Sequence, residues 1–158
     1  MPKKTYTQIN SVTLATSSSS VTFSSIPQNF RDLILVYRGT TGAVSGVEAR
    51  VNGDSASNYS LVRMYSGGGG TGSTTATTNY YPVMYSGLPV TGMSILQIMD
   101  YSTTDKHKTA LTRGSEYNYS MTEALASRWA NTAAITSLSI SSSGFNSGST
   151  FILYGIEA

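Results

Sequence analysis

Cysteine is absent from the 158 residues, which excludes disulfides, thiol catalysis and thiolate metal sites and leaves burial and hydrogen bonding to hold the fold. Charge is scarce. Asp, Glu, Lys and Arg supply only 11% of the chain against the usual quarter or so, and the formal net charge of +2 is carried by scattered Lys and Arg. That falls short of the basic footprint of a nucleic-acid binder, so no nucleic acid is expected among the partners. No apolar run approaches the roughly 20 residues of a membrane span. The start, Met1-Pro2-Lys3-Lys4-Thr5-Tyr6, turns polar too early for a cleavable leader, so the expectation is a soluble product with no membrane partner and no export signal of its own.

Histidine occurs once. His107 lies between Lys106 and Lys108, where neighbouring positive charge disfavours the imidazolium, and it reads as a surface loop residue rather than a catalytic base. The carboxylates, eight in all, are scattered. A glycosidase would need two of them facing each other, with Asp54, Asp100 and Glu116 the acids from which such a pair could be drawn. No G-x-S-x-G elbow occurs, Asp100 to Asp105 lacks the spaced oxygen ligands of a calcium loop, and Gly67 to Gly72 lacks the G-K-S/T ending of a phosphate loop. The residues therefore point to a protein that is not an enzyme, with no catalytic, cofactor or metal site.

What the chain has in place of charge is hydroxyls: Ser and Thr make up roughly three residues in ten and tyrosine is abundant. Thr and Tyr favour extended backbone, and Ser and Gly serve turns. Strands read along the chain about Tyr6–Ala15, with an irregularity between Ile9 and Val12, then at Val21–Phe23. Leu33-Ile34-Leu35-Val36-Tyr37 is the most apolar run and reads as a central strand covered on both faces. Glu48–Asn52 alternates cleanly before the turn residues Asn52-Gly53-Asp54, and a strand follows over Tyr59–Tyr65. Tyr80–Tyr85 is edge-like because Pro82 interrupts it, and Met93–Met99 and Lys108–Arg113 read as neighbours. Met121–Trp129 has good helix formers but alternates acceptably, with the balance slightly toward strand. Ile135, Leu138 and Ile140 precede a turn at Ser141-Ser142-Ser143-Gly144, and Phe151–Ile156 closes the chain. About ten short strands without intervening helices predict one all-β domain over residues 1–158, an antiparallel β-sandwich of jelly-roll type. It is expected to carry a short polar N-terminal arm, about residues 1–5, and a flexible glycine-rich loop, about residues 66–78.

Tyr80, Tyr81 and Tyr85 offer rigid area with a polar tip, weighed evenly between contact with a partner and packing in the sheet. Trp129 reads as a core or interface anchor. Asn58-Tyr59-Ser60 and Asn118-Tyr119-Ser120 match the glycosylation pattern, which carries little meaning without an export signal.

Two stretches carry a resemblance. Trp129-Ala130-Asn131-Thr132-Ala133-Ala134-Ile135-Thr136-Ser137-Leu138, followed by Gly148-Ser149-Thr150-Phe151-Ile152-Leu153-Tyr154-Gly155-Ile156, resembles a terminal signature of tailed-bacteriophage virion proteins. Arg50-Val51-Asn52-Gly53-Asp54 with Ser57-Asn58-Tyr59-Ser60 is similar to a recurrent strand-turn-strand segment of the same proteins. The resemblance implies a β-sandwich module on the virion, either a capsid decoration (cement) protein or a tail-appendage module that binds host-surface carbohydrate. The short chain favours decoration: a protein assembled in the host cytoplasm that sits on the capsid surface and stabilises the shell. Its partners would be the major capsid protein and copies of itself, as a trimer. Lys3 and Lys4 would then form an arm that orders on docking, with Tyr80, Tyr81, Tyr85 and Trp129 as contact candidates. A third alternative is a virion hydrolase acting on surface polysaccharide, which requires the facing acids named above.

Overall fold

The computed structural model describes residues 4–42, 46–67, 70–84, 91–118 and 120–157. Every regular element among them is a strand. In chain order these are β1 (Tyr6–Thr13), β2 (Ser18–Phe23), β3 (Asp32–Thr40), β4 (Val47–Val51), β5 (Tyr59–Gly67), β6 (Gly70–Thr78), β7 (Tyr81–Met84), β8 (Thr91–Met99), β9 (Lys108–Glu116), β10 (Met121–Trp129), β11 (Leu138–Phe145) and β12 (Thr150–Ile156). All pair antiparallel, in an eight-stranded sheet ordered β1-β12-β3-β8-β9-β10-β5-β6 and a four-stranded sheet ordered β2-β11-β4-β7. The chain passes repeatedly from one sheet to the other, which is the all-β, jelly-roll-like sandwich that the spacing of strands and turns predicts.

The inner faces alternate as the pattern requires. β9 and β10 turn Ala110, Leu125 and Trp129 inward, and β3 contributes Leu33, Leu35 and Tyr37, all 2% exposed or less. Two aromatic clusters pin the ends of the core. Tyr37, Phe145 and Phe151 meet with centroids 4.9–5.7 Å apart. Tyr81 stands edge-on to Tyr59 at 5.0 Å, and Trp129 stacks on Tyr59 at 6.4 Å.

Two expectations meet a different outcome and three hold. Residues 70–78 form a full strand that pairs with β5 from Tyr59↔Thr78 to Gly67↔Gly70, so most of the segment expected as a loop is strand, while Gly68 and Gly69 lie outside the described residues. Threonine explains this: five of the nine residues of β6 are Thr, whose β-branching favours extended backbone over the cost of two glycines. Ser141-Ser142-Ser143-Gly144 lies inside β11 as an irregularity between Ser141 and Phe145, not as a turn. The irregularity predicted in β1 falls at Gln8/Asn10. Met121–Trp129 is a strand, with Glu123, Leu125, Ser127 and Trp129 on the buried side. Pro82 does sit on an edge, that of the smaller sheet.

Candidate docking face

The two stretches that carry the virion-protein resemblance are knitted to each other. Asn52 and Gly53 take left-handed φ values of 52° and 69° at the end of β4, and the tight turn throws both neighbouring side chains toward the segment after β10. Asn52 Oδ1 accepts from the Thr136 and Ser137 amides at 2.8 and 3.2 Å, while its Nδ2 donates to the Ala134 carbonyl at 2.8 Å. Asp54 Oδ2 accepts from the Trp129 indole at 2.7 Å and from Asn58 Nδ2 at 2.9 Å. These hydrogen bonds hold the Asp54 carboxyl below its ordinary range. Backbone bonds from Ala130 to Asn58 and from Asn52 to Ser137 complete the joint. Asn58 is thus occupied by Asp54, which leaves its amide poorly placed as a glycan acceptor.

This corrects the contact role given to two aromatics. Trp129 is 1% exposed and Tyr81 0%, and the Tyr81 hydroxyl donates to the Lys108 carbonyl at 3.1 Å; both are core, not contact surface. Burial pushes the Tyr81 phenol above its ordinary range and that of Tyr59 up to about 12. Tyr80 is half-buried under the Arg50 guanidinium at 5.8 Å, so Tyr80 and Tyr81 do not form an exposed pair. Lys4 is exposed just ahead of β1, and Lys3 and Tyr85 lie outside the described residues.

The acids are also accounted for. Asp54 serves the turn, Asp100 pairs with Lys106 at 3.3 Å, and Glu116 is buried at the far end of β9 from Lys108, beside which the Asp100 turn lies. Among the described residues no group of three His, Asp or Glu side chains could hold a metal. Lys108, fully buried, spends its ammonium on the carbonyls of Thr103, Lys106 and Thr132 at 2.7–3.0 Å. Burial lowers its pKa.

The surface that stands out is the outer face of the eight-stranded sheet. Register places Ile152, Val36, Ile95, Arg113, Ala124 and Met64 in one row across six strands. The next row runs Tyr154, Ile34, Gln97, Leu111, Ala126 and Val62. Met64, Val62 and Leu111 are 62, 50 and 50% exposed. On β10 the two central outward residues are small, Ala124 and Ala126, and on either side stand Val62 and Met64 of β5 and Leu111 and Arg113 of β9. The result is a trough along β10. It holds two adjoining hollows of about 640 and 280 Å³ that share Val62, Leu111 and Ala126. Arg113 and Arg128 at its margin form no ion pair among the described residues.

A second groove, of about 600 Å³, lies at the end of the same sheet between Arg38, Met93, Thr91 and the Ser147–Thr150 segment. Tyr117 stands over it, 85% exposed. Sequence reading passed over Tyr117, because one tyrosine in a turn has no pattern to mark it.

No family model matches this chain, and no curated protein matches it. Among solved structures it is similar to the galectin LEC-6 of Caenorhabditis elegans, at 10% identity over 90% of this chain and 95% of that one, TM-score 0.37. It is also similar to the exo-inulinase of Aspergillus awamori, at 14% identity over 96% of this chain, TM-score 0.46. The match spans 29% of the exo-inulinase chain. These likenesses concern the β-sandwich fold alone.

Proposed function

We propose that the chain is a non-enzymatic structural protein of a bacteriophage virion, a capsid decoration protein that binds the major capsid protein through the outer face of its large sheet. The observation that carries the proposal is the pair of mainly apolar rows on that face, broken only by Arg113 in one and Gln97 in the other. A sandwich needs one apolar face per sheet, and here the large sheet has two. Exposed contiguous apolar surface costs solubility without contributing to the fold, and its ordinary use is to be covered by a partner. Two further points support it. Of the acids that a hydrolase would need, Asp54 and Asp100 are tied into structural interactions and Glu116 is buried at the other end of β9 from the Asp100 turn, and both phage-like motifs meet in one joint of the fold. Docking to the assembled shell alone stabilises the shell by mass action.

Purified chain mixed with phage capsids that lack it should co-sediment saturably, at a fixed ratio to the major capsid protein, and raise the heat resistance of the particles. Absence of co-sedimentation contradicts the proposal. A second reading, a tail-appendage module for host-surface glycan, draws on the groove beneath Tyr117, where an exposed aromatic ring adjoins Arg38 and several hydroxyls. Binding of host polysaccharide that is abolished by Tyr117→Ala, together with no capsid binding, would favour it.

A further inference from the structure

A sheet edge is a row of unpaired backbone donors and acceptors, and folded proteins blunt such rows with prolines, charges, bulges or side chains that fold back. The sandwich has four edges, β1 and β6 in the large sheet and β2 and β7 in the small one. Three are blunted. β1 has its irregularity at Gln8/Asn10, and the Asn10 side chain accepts from the Ser11 amide at 2.7 Å. In β2 the Ser18 hydroxyl donates to the Ser20 carbonyl at 2.9 Å and accepts from the Ser20 amide at 3.3 Å, closing the edge on itself. β7 carries Pro82, and the hydroxyls of Thr112 and Ser94 take the Pro82 and Val83 carbonyls.

β6 has none of these devices. It is nine residues long, Gly70-Thr71-Gly72-Ser73-Thr74-Thr75-Ala76-Thr77-Thr78, with no charge and no proline, and its pairing to β5 runs without a bulge. Among the described residues the one side-chain bond of β6 is that of Thr78 to the Tyr80 carbonyl, at the very end. The outward amides and carbonyls of alternate residues are therefore open along the whole strand.

We infer that β6 is the edge at which a second copy of the chain adds, strand to strand, about a two-fold axis. The capsid proposal is not needed for this. Full antiparallel overlap of nine residues places Thr74 on the axis and sets Ser73 against Thr75 of the partner subunit, Gly72 against Ala76 of the partner subunit, and Thr71 against Thr77 of the partner subunit. Each pair is small or hydroxylated, so nothing clashes and no like charges meet, and threonine pairs are among the favourable cross-strand neighbours. An isologous contact requires such self-complementarity, whereas a foreign strand would not. The joined sheet also brings the Val62 and Met64 of two subunits within roughly three strand spacings, about 14 Å, of one another. On that face the two apolar patches then flank a central strip of Ser73 and Thr75 from the two β6 strands.

Analytical ultracentrifugation tests this directly. The native chain should sediment with twice the mass of one chain, and Thr74→Lys, which puts like charges opposite each other on the axis, should sediment as a monomer with unchanged circular dichroism. Thr74→Glu should also be monomeric, and an equimolar mixture of the two variants should regain the twofold mass. That rescue reads out pairing at this position even where one variant alone is less stable. A native chain that stays monomeric, an oligomer of any size indifferent to both variants, or β6 amides that become protected from exchange only on capsids each overturn the inference. The last result would assign the edge to a strand of the shell protein.

Discussion

A single oxygen, Asp54 Oδ2, receives both the Trp129 indole and the Asn58 amide, and through it a turn in the first half of the chain is fixed to the strand end 75 residues later. Removing Asp54 leaves the buried Trp129 indole N–H without its partner, and removing the indole takes a charge-assisted hydrogen bond from the half-buried Asp54 carboxylate; each loss costs about 1–3 kcal/mol. Asp54→Ala and Trp129→Phe should each destabilise the protein by that amount in urea titrations, and the double variant should fall short of the sum, with a coupling of about 0.5–3 kcal/mol. The carboxyl is held below its ordinary value of 3.8 in the folded state. Its contribution is therefore complete above that value and is lost as pH falls through the lower folded value. The native chain should lose more stability below about pH 4 than Asp54→Asn does. Gly155 faces the Phe30 ring so closely that a Cβ there would overlap it. Gly155→Ala should cost about 1–3 kcal/mol through overpacking, seen as a lowered melting temperature. The sequence marked both phage-like motifs and the turn at Asn52-Gly53, but their mutual bonding is a three-dimensional fact. Trp129 was open between core and contact because an indole carries no sequence mark of who accepts its N–H.

Strands with good alternation were legible throughout, since side chains on a half-buried sheet must repeat every second residue. β10 shows how narrow the margin was. Glu123 looked like a helix former and lies instead on the inner face, 2.8 Å from Arg63 of β5, with both side chains under 10% exposed. Arg63 also stacks on Tyr65 at 4.2 Å. Breaking a buried pair from one side leaves an uncompensated charge and costs about 3–5 kcal/mol. Arg63→Met should therefore be strongly destabilising, and adding Glu123→Leu should recover most of the loss, both measured by chemical denaturation. The glycines of β6 point to a loop and its threonines to a strand, and register with β5 decides the outcome. The Leu33–Tyr37 run predicted a strand covered on both faces. Leu33, Leu35 and Tyr37 are buried in the core and Ile34 is buried on the outer face, where Val36 is half-buried, so the run is covered on both faces at all but one residue.

For the whole molecule, the outer face of the large sheet makes sense of residues that the fold does not need. Val62, Met64 and Leu111 contribute little to the core, so polar replacements should leave folding within about 0.5 kcal/mol, as surface substitutions do. Leu111 belongs to the second row, on the β9 wall of the trough, and both hollows share it. Truncating such an anchor ordinarily costs an interface about 1–3 kcal/mol, and the unpaired carboxylate of Leu111→Asp costs no less. The most direct measurement is co-sedimentation of native chain and of a Val62→Asp/Leu111→Asp variant with capsids stripped of it, alongside a thermal melt of each protein. Unchanged melting is expected, with capsid affinity reduced by ten- to a hundredfold or more. Equal capsid binding by the two proteins, or none by either, would contradict docking through the outer face.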